Sequence, residues 1–134
     1  DSCARATEED IVWAGTAAIK RAYRIFKDRD YDCRLMPAAA RGSYHITRLA
    51  GADMVISIAP GIAQALAAET DLTPHIGEEV DPAIISRLTE MPEFVKAYEP
   101  DGMKPEEFIT FGSCNRTLDQ FVQCGWNILK DLDL

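Results

Sequence analysis

In the stretch AAARGSYHITR, residues 38–48, one arginine is followed at once by a glycine and a serine. Arg41 carries a permanently charged fork of N–H donors that matches a phosphate or carboxylate through two parallel bonds. Gly42 lets the backbone come close to a ligand. Ser43 adds a hydroxyl and opens the run SYHITRLAG, which reads as a short helix closed by Gly51. Free N–H groups at a helix start attract anions. Arg41, Gly42 and Ser43 are therefore candidate ligands for a small anion such as a phosphate ester. An arginine that caps a loop or pairs with a nearby acid is the competing reading of Arg41, and the residues alone leave both open.

The other groups capable of chemistry point nowhere as definite. His45 follows Arg41 by one helical turn and could approach the same anion, or simply sit half-exposed on its helix. His75 lies in TPHIGEE with no nucleophile beside it, and Ser57 is outside any GxSxG elbow. Cys33 has no basic activator. Glu78, Glu79 and Asp81 form an acidic loop that water solvates well. The five lysines, Lys20, Lys27, Lys96, Lys104 and Lys130, fall on helices or turns and never at the end of an expected strand. A carbonyl-attacking lysine needs a desolvated pocket, so no catalytic residue is assigned in this chain.

The elements around these groups follow from local pattern. Thr7, followed by Glu8, Glu9 and Asp10, predicts the start of a long helix whose last turns are basic. Ile11, Ala14, Ala18, Ala22, Ile25 and Phe26 form its apolar stripe, and Lys20, Arg21, Arg24 and Lys27 read as a solvated face. DCRLMPAAA is a strand candidate, interrupted by Pro37, which has no N–H to give a ladder. ADMVISIAP reads as a strand buried on both faces, with Val55, Ile56 and Ile58 inaccessible. A helix from Pro60 follows it, and two strands joined by a helix make a right-handed βαβ unit. Further helices are expected from Asp81 and Pro82, after Pro92, from Pro105, and over NRTLDQFVQCGWNILKDL. In the last, Leu118, Phe121, Val122, Ile128 and Leu129 would face inward and Gly125 is a weak point. Two strands alone do not make a stable sheet, so the remaining strands would have to come from elsewhere.

Composition narrows the field. The chain has 134 residues, 47% of them hydrophobic, and a formal net charge of -8. That excess of acid argues against nucleic acid as a partner. No apolar run approaches the ~20 residues that span a bilayer, which argues against a membrane. Residues 1–10 are polar and acidic rather than leader-like. Cys3, Cys33, Cys114 and Cys124 form no CxxC pair and no zinc spacing, so partly buried thiols in a cytoplasmic protein are expected.

YRIFKDRDYDCRLMPAAARGSYHITRLAGADMVISIAP resembles the late part of the transaldolase family of (β/α)8 barrels. There a strand ends in a Met-Gly-Ala-Ser-Phe-Arg-Asn type motif, a helix leads to a Leu-Ala-Gly-Cys-Asp type turn, and the next strand resembles Leu-Thr-Ile-Ser-Pro. Met36, Arg41, Leu49, Ala50, Gly51, Asp53, Ile56 and Pro60 stand in register with that pattern. EEFITFGSCNRTLDQFVQCGW resembles the family's C-terminal helical region. The family's serine is replaced by Ala39, its bulky aromatic by Ala40 and its asparagine by Gly42.

The resemblance implies an α/β fold, the C-terminal part of a (β/α)8 TIM barrel with two parallel strands and covering helices. Residues 1–69 would supply its last β/α units and residues 70–134 a C-terminal helical region. It implies transfer of a dihydroxyacetone unit between sugar phosphates of the pentose phosphate pathway, by Schiff-base chemistry that needs no cofactor and no metal. Arg41 would hold the substrate's phosphate. The Schiff-base lysine and the early strands would lie in the remainder of the barrel, a missing segment or a second chain. The alternative is a non-catalytic α/β module, a homo-oligomer that pairs strand edges and keeps Arg41 as an anion site.

Overall fold

The computed structural model describes residues 6–71 and 73–132. Its organising element is α1, Glu8–Asp28. Thr7 caps it as its sequence demands, with the Asp10 N–H donating to Thr7 Oγ1 at 3.2 Å and the Thr7 N–H donating back to the Asp10 carboxylate at 2.8 Å. This reciprocal cap satisfies donors that the first turn would otherwise leave free.

Asp10 does more than cap. It is 2% exposed, and Arg87 reaches it with two bonds, Nε at 2.8 Å and Nη2 at 2.6 Å. Arg87 belongs to α4, Pro82–Leu88, whose start follows the expected pattern: Asp81 accepts the Ala83 N–H and Pro82 opens the helix. Beside this ion pair lies the core of Ala17, Val80, Leu88 and Phe94, flanked by Trp13, Ala14, Ile84, Ile85, Met91 and Tyr98. Phe94 and Tyr98 come from α5, Pro92–Tyr98. Arg21 clamps the far end of α5 through a bidentate pair with Glu99, while its guanidinium lies 4.3 Å from the Tyr98 ring centroid. Arg24 pairs with Glu79 and Arg29 donates to the Tyr31 hydroxyl.

The expected stripe is only part of the face that α1 covers. Ala14, Ala18, Ala22, Ile25 and Phe26 are half-buried, Ile11 is exposed, and Asp10, Thr16, Ala17 and Lys20 are buried. Lys20 is no solvated charge: its Nζ donates to the carbonyls of His75 at 2.6 Å and Glu78 at 2.8 Å. It fastens the 75–80 segment to α1.

The opposite flank of α1 carries residues 31–59, and here the expected sheet does not form. Among the described residues there is no β-strand, no sheet and no barrel. Residues 35–37 and 55–57 run side by side, with Val55 N–H donating to Leu35 O at 3.1 Å and Ser57 N–H to Pro37 O at 3.0 Å. The return bonds of a parallel ladder would need the N–H groups of residues 37 and 39. Pro37 has none, and Ala39 turns out of the extended region at φ 58°. Only half a ladder exists. The βαβ unit and the barrel segment expected from the resemblance are overturned by this finding. Nor is the second segment buried: Val55 is 51% exposed, and Ile58 is also open to solvent.

Short helices join these parts: α2, Ser43–Thr47, and α3, Pro60–Ala67. After α2 the chain turns through Gly51 at φ 85°, where a Cβ would stand 2.6 Å from the Pro74 side chain, so only glycine fits. A 3-10 turn, Pro105–Thr110, leads to α6, Gly112–Phe121, which runs on through a π turn, Val122–Trp126, into α7, Asn127–Lys130. The π turn contains Gly125, the expected weak point. Leu118, Phe121, Val122, Trp126, Ile128 and Leu129 are all exposed, so the face expected to point inward lies open.

The Asp10–Arg87 pair makes a prediction. Hydrogen bonds from Arg87 and then Thr7 hold the Asp10 carboxyl well below the usual carboxylate range, against the opposing effect of burial. A carboxyl depressed in the folded state contributes stability that is complete above its unfolded pKa, near 3.9, and lost as pH falls through its folded value. Asp10→Asn should lower the melting temperature by several degrees at pH 7, and its melting temperature should fall less steeply than the wild type's below pH 4. Parallel pH curves for the two proteins would count against the assignment.

Candidate functional site

Arg41 sits between the half-paired segment and α2, and its side chain is exposed. Its guanidinium makes no hydrogen bond and no ion pair among the described residues. Its backbone is fixed: the Arg41 N–H donates to Nδ1 of His45 at 3.0 Å, one helical turn on. An accepting Nδ1 places the proton of the neutral ring on Nε2. Nε2 lies toward Gly15 of α1, within 3.8 Å of where a Cβ there would stand. Burial, then the charges of Arg48 and Arg41, push the His45 pKa down from its ordinary value.

Arg48 holds this loop to the long helix. Its guanidinium carbon is 3.4 Å from the Trp13 ring centroid and 5.0 Å from that of Tyr44, and it donates to the Val12 carbonyl at 3.2 Å. Such cation–aromatic contacts are strongest on tryptophan. On the other side of the loop Asp53 faces Lys27 and Arg34, both at 3.6 Å, and its N–H donates to the Tyr23 hydroxyl. Residues 41–53 are thus tied to α1 at Arg48 and at Asp53.

Two cavities adjoin the loop. One, of about 140 Å³, is walled largely by Pro37, Ala38, Ala39, Ala40, Ile46 and Ile56. Its polar groups are the His45 ring and the buried, unpartnered hydroxyl of Thr16. It suits no charged ligand. The other is an open cleft of about 670 Å³ between Arg41 and α6, lined by Arg41, Arg116, Asp119, Gln120, Gln123 and Cys124.

The residues named from sequence are thus only partly assembled. Arg41, Gly42 and Ser43 are adjacent, and Gly42 precedes α2 without a side-chain cap. His45 accepts the Arg41 backbone N–H through Nδ1. Its role was legible only as a spacing of four residues. His75 is remote, bonded through Nδ1 to Glu78. Ser57 is exposed. Cys33, Cys114 and Cys124 are exposed free thiols, not partly buried ones, and Cys3 lies outside the described residues. Among the described residues no three His, Cys, Asp or Glu side chains gather to hold a metal, and no helix is long and apolar enough to cross a membrane. Lys20 has the lowered pKa of a reactive lysine, caused by desolvation. Yet it is 4% exposed and its ammonium serves two carbonyls.

Comparison with known proteins agrees with the sequence around Arg41. The family model for transaldolase/fructose-6-phosphate aldolase matches residues 3–109. The chain belongs to that family, whose members act on sugar phosphates in carbohydrate metabolism. The match ends within the 3-10 turn, before α6. No curated protein sequence and no solved structure matches the chain.

His45 gives the site a pH dependence. A histidine whose folded pKa is depressed takes up its proton more readily when unfolded, so stability is lost as pH falls from about 6.5 toward the folded value. Protonation would also turn Nδ1 from acceptor to donor and break its bond to Arg41. In an NMR titration His45 should titrate below 6.5, and His45→Ala should flatten the stability curve in that window. Titration at or above 6.5 would contradict the half-buried, doubly arginine-flanked setting.

Proposed function

We propose that this protein takes part in transfer of a dihydroxyacetone unit between sugar phosphates, and that Arg41 holds the substrate's phosphate. The observation that carries the reading is an arginine free of any ion pair among the described residues, backbone-fixed by His45, at the edge of an open cleft. It falls inside the region matched by the family. A free guanidinium at a surface cleft is ready for a dianion without first breaking a salt bridge. Gly42 and Ser43 stand next to it and would present a backbone N–H and a hydroxyl to the same group.

In the reaction of this family type, a lysine amine condenses with the ketose carbonyl and releases water. The resulting iminium draws electrons as the C4 hydroxyl loses its proton and the C3–C4 bond breaks. The aldehyde leaves, the bound three-carbon enamine attacks a second aldehyde, and water hydrolyses the new iminium to free the product ketose and the lysine amine. The lysine for that step needs a dry but reachable pocket. Lys20 is sealed by carbonyls, Lys27 faces Asp53, Lys96 pairs with Glu93, and Lys104 and Lys130 are exposed. The reading therefore gives this chain the phosphate grip and assigns the carbonyl chemistry to none of its lysines.

Arg41→Ala tests the grip. A charge-assisted contact is worth roughly 1.5–3 kcal/mol, on the order of ten- to hundredfold in affinity at ~1.4 kcal/mol per tenfold. Fructose 6-phosphate should weaken by that factor in direct binding, and unphosphorylated fructose should not. Arg41→Lys should recover only part, because an ammonium keeps the charge and loses the fork. Equal losses for both sugars, with a depressed melting point, would make Arg41 a structural residue instead.

A further inference from the structure

Arginines are almost all committed in this acidic chain. Eight of them lie among the described residues, and six of those are held by an acid, a hydroxyl or a carbonyl. The remaining two, Arg41 and Arg116, have guanidinium groups without a hydrogen bond or ion pair among the described residues, and they line the same cleft. Arg116 belongs to α6, beyond the region matched by the family. Asp119, Gln120 and Gln123 follow it at three, four and seven residues, which is one face of a helix. That face is the one turned to Arg41.

We propose that Arg116 is a second anion-binding residue, meeting from α6 the same phosphate that Arg41 meets from the loop, with Gln120 and Gln123 hydrogen-bonding the sugar's hydroxyls. The inference rests on the reading of Arg41 given above. Two guanidinium forks lining one cleft suit a dianionic phosphate ester better than a neutral sugar. The side-chain amides both donate and accept, as hydroxyls require. Asp119 on the same wall opposes any further negative charge, so the cleft favours a monophosphate over a more highly charged ligand.

Calorimetric titration of the full chain with fructose 6-phosphate, and with fructose as control, tests this. Arg116→Ala should weaken fructose 6-phosphate about tenfold, leave fructose unchanged and leave the melting temperature unchanged, because the side chain is exposed and unpaired. Arg116→Gln should behave alike. Asp119→Asn should tighten fructose 6-phosphate a few-fold. Arg41→Ala/Arg116→Ala should depart from the product of the single losses, since residues sharing one ligand group are coupled. Wild-type affinity in Arg116→Ala, alongside a loss in Arg41→Ala, overturns this proposal and leaves the Arg41 reading standing. A loss in Arg116→Ala alone overturns the Arg41 reading, and the shared grip with it. No loss in either variant, or no binding by the wild type, overturns both.

Discussion

The Asp10 carboxylate is where this fold is fastened. It accepts four hydrogen bonds, from the Thr7 N–H and hydroxyl and from Nε and Nη2 of Arg87. A buried charge with one partner removed is far more costly than the intact pair is favourable. The four bonds therefore set the relation between the start of α1 and α4 with little tolerance. Two further parts of the fold are held by α1. One flank holds the small core of Ala17, Val80, Leu88 and Phe94. The other holds the Arg41 loop through Arg48 on Trp13 and through Tyr23 on Asp53. A long helix with polar anchors at both ends is thus the frame against which the cleft is positioned.

Local signals in the sequence were read correctly because their physics is local. Thr7, Asp81, Pro82, Pro92 and Pro105 mark helix starts that lie where they are expected. Gly51 takes the positive φ that a helix-closing glycine provides. What failed needed a distant partner. Nothing within ten residues of Asp10 or Lys20 says that they are buried. Their partners are 77 residues away for Asp10, and 55 and 58 for Lys20. Periodicity counted Ile11 as core because it weighs apolarity, while the structure buried a carboxylate whose charge was already matched.

The sheet failed for a different reason. Pro37 was legible as a ladder breaker, and the break is what the structure contains. The segment ADMVISIAP, residues 52–60, has the pattern of a buried strand, but burial on two faces requires neighbours on two faces. One half-ladder supplies a single neighbour, so Val55 stays open. The same logic governs α6 and α7. A repeating apolar face specifies which side wants cover and not that cover exists. Leu118, Phe121 and Val122 belong to such a face and remain exposed.

The cleft turns on charge allocation. With 22 acidic residues against 14 basic ones, a randomly placed arginine on this surface readily finds a carboxylate. Among the described residues Arg41 and Arg116 do not, although Asp119 stands three residues from Arg116 on the same helix. Keeping a guanidinium unpaired forgoes a small gain, since exposed ion pairs are worth ~0–1 kcal/mol. On the proposed reading of Arg41 it would also spare an incoming anion the displacement of that carboxylate. His45 completes the arrangement. Kept neutral by burial and by the neighbouring charges of Arg48 and Arg41, it accepts the Arg41 N–H and holds the backbone in place. A charged imidazole would do the reverse, donating where it must accept and adding a third cation to the loop. Neutrality at His45 thus keeps the Arg41 backbone in place, with the far side of the ring turned toward Gly15 of α1.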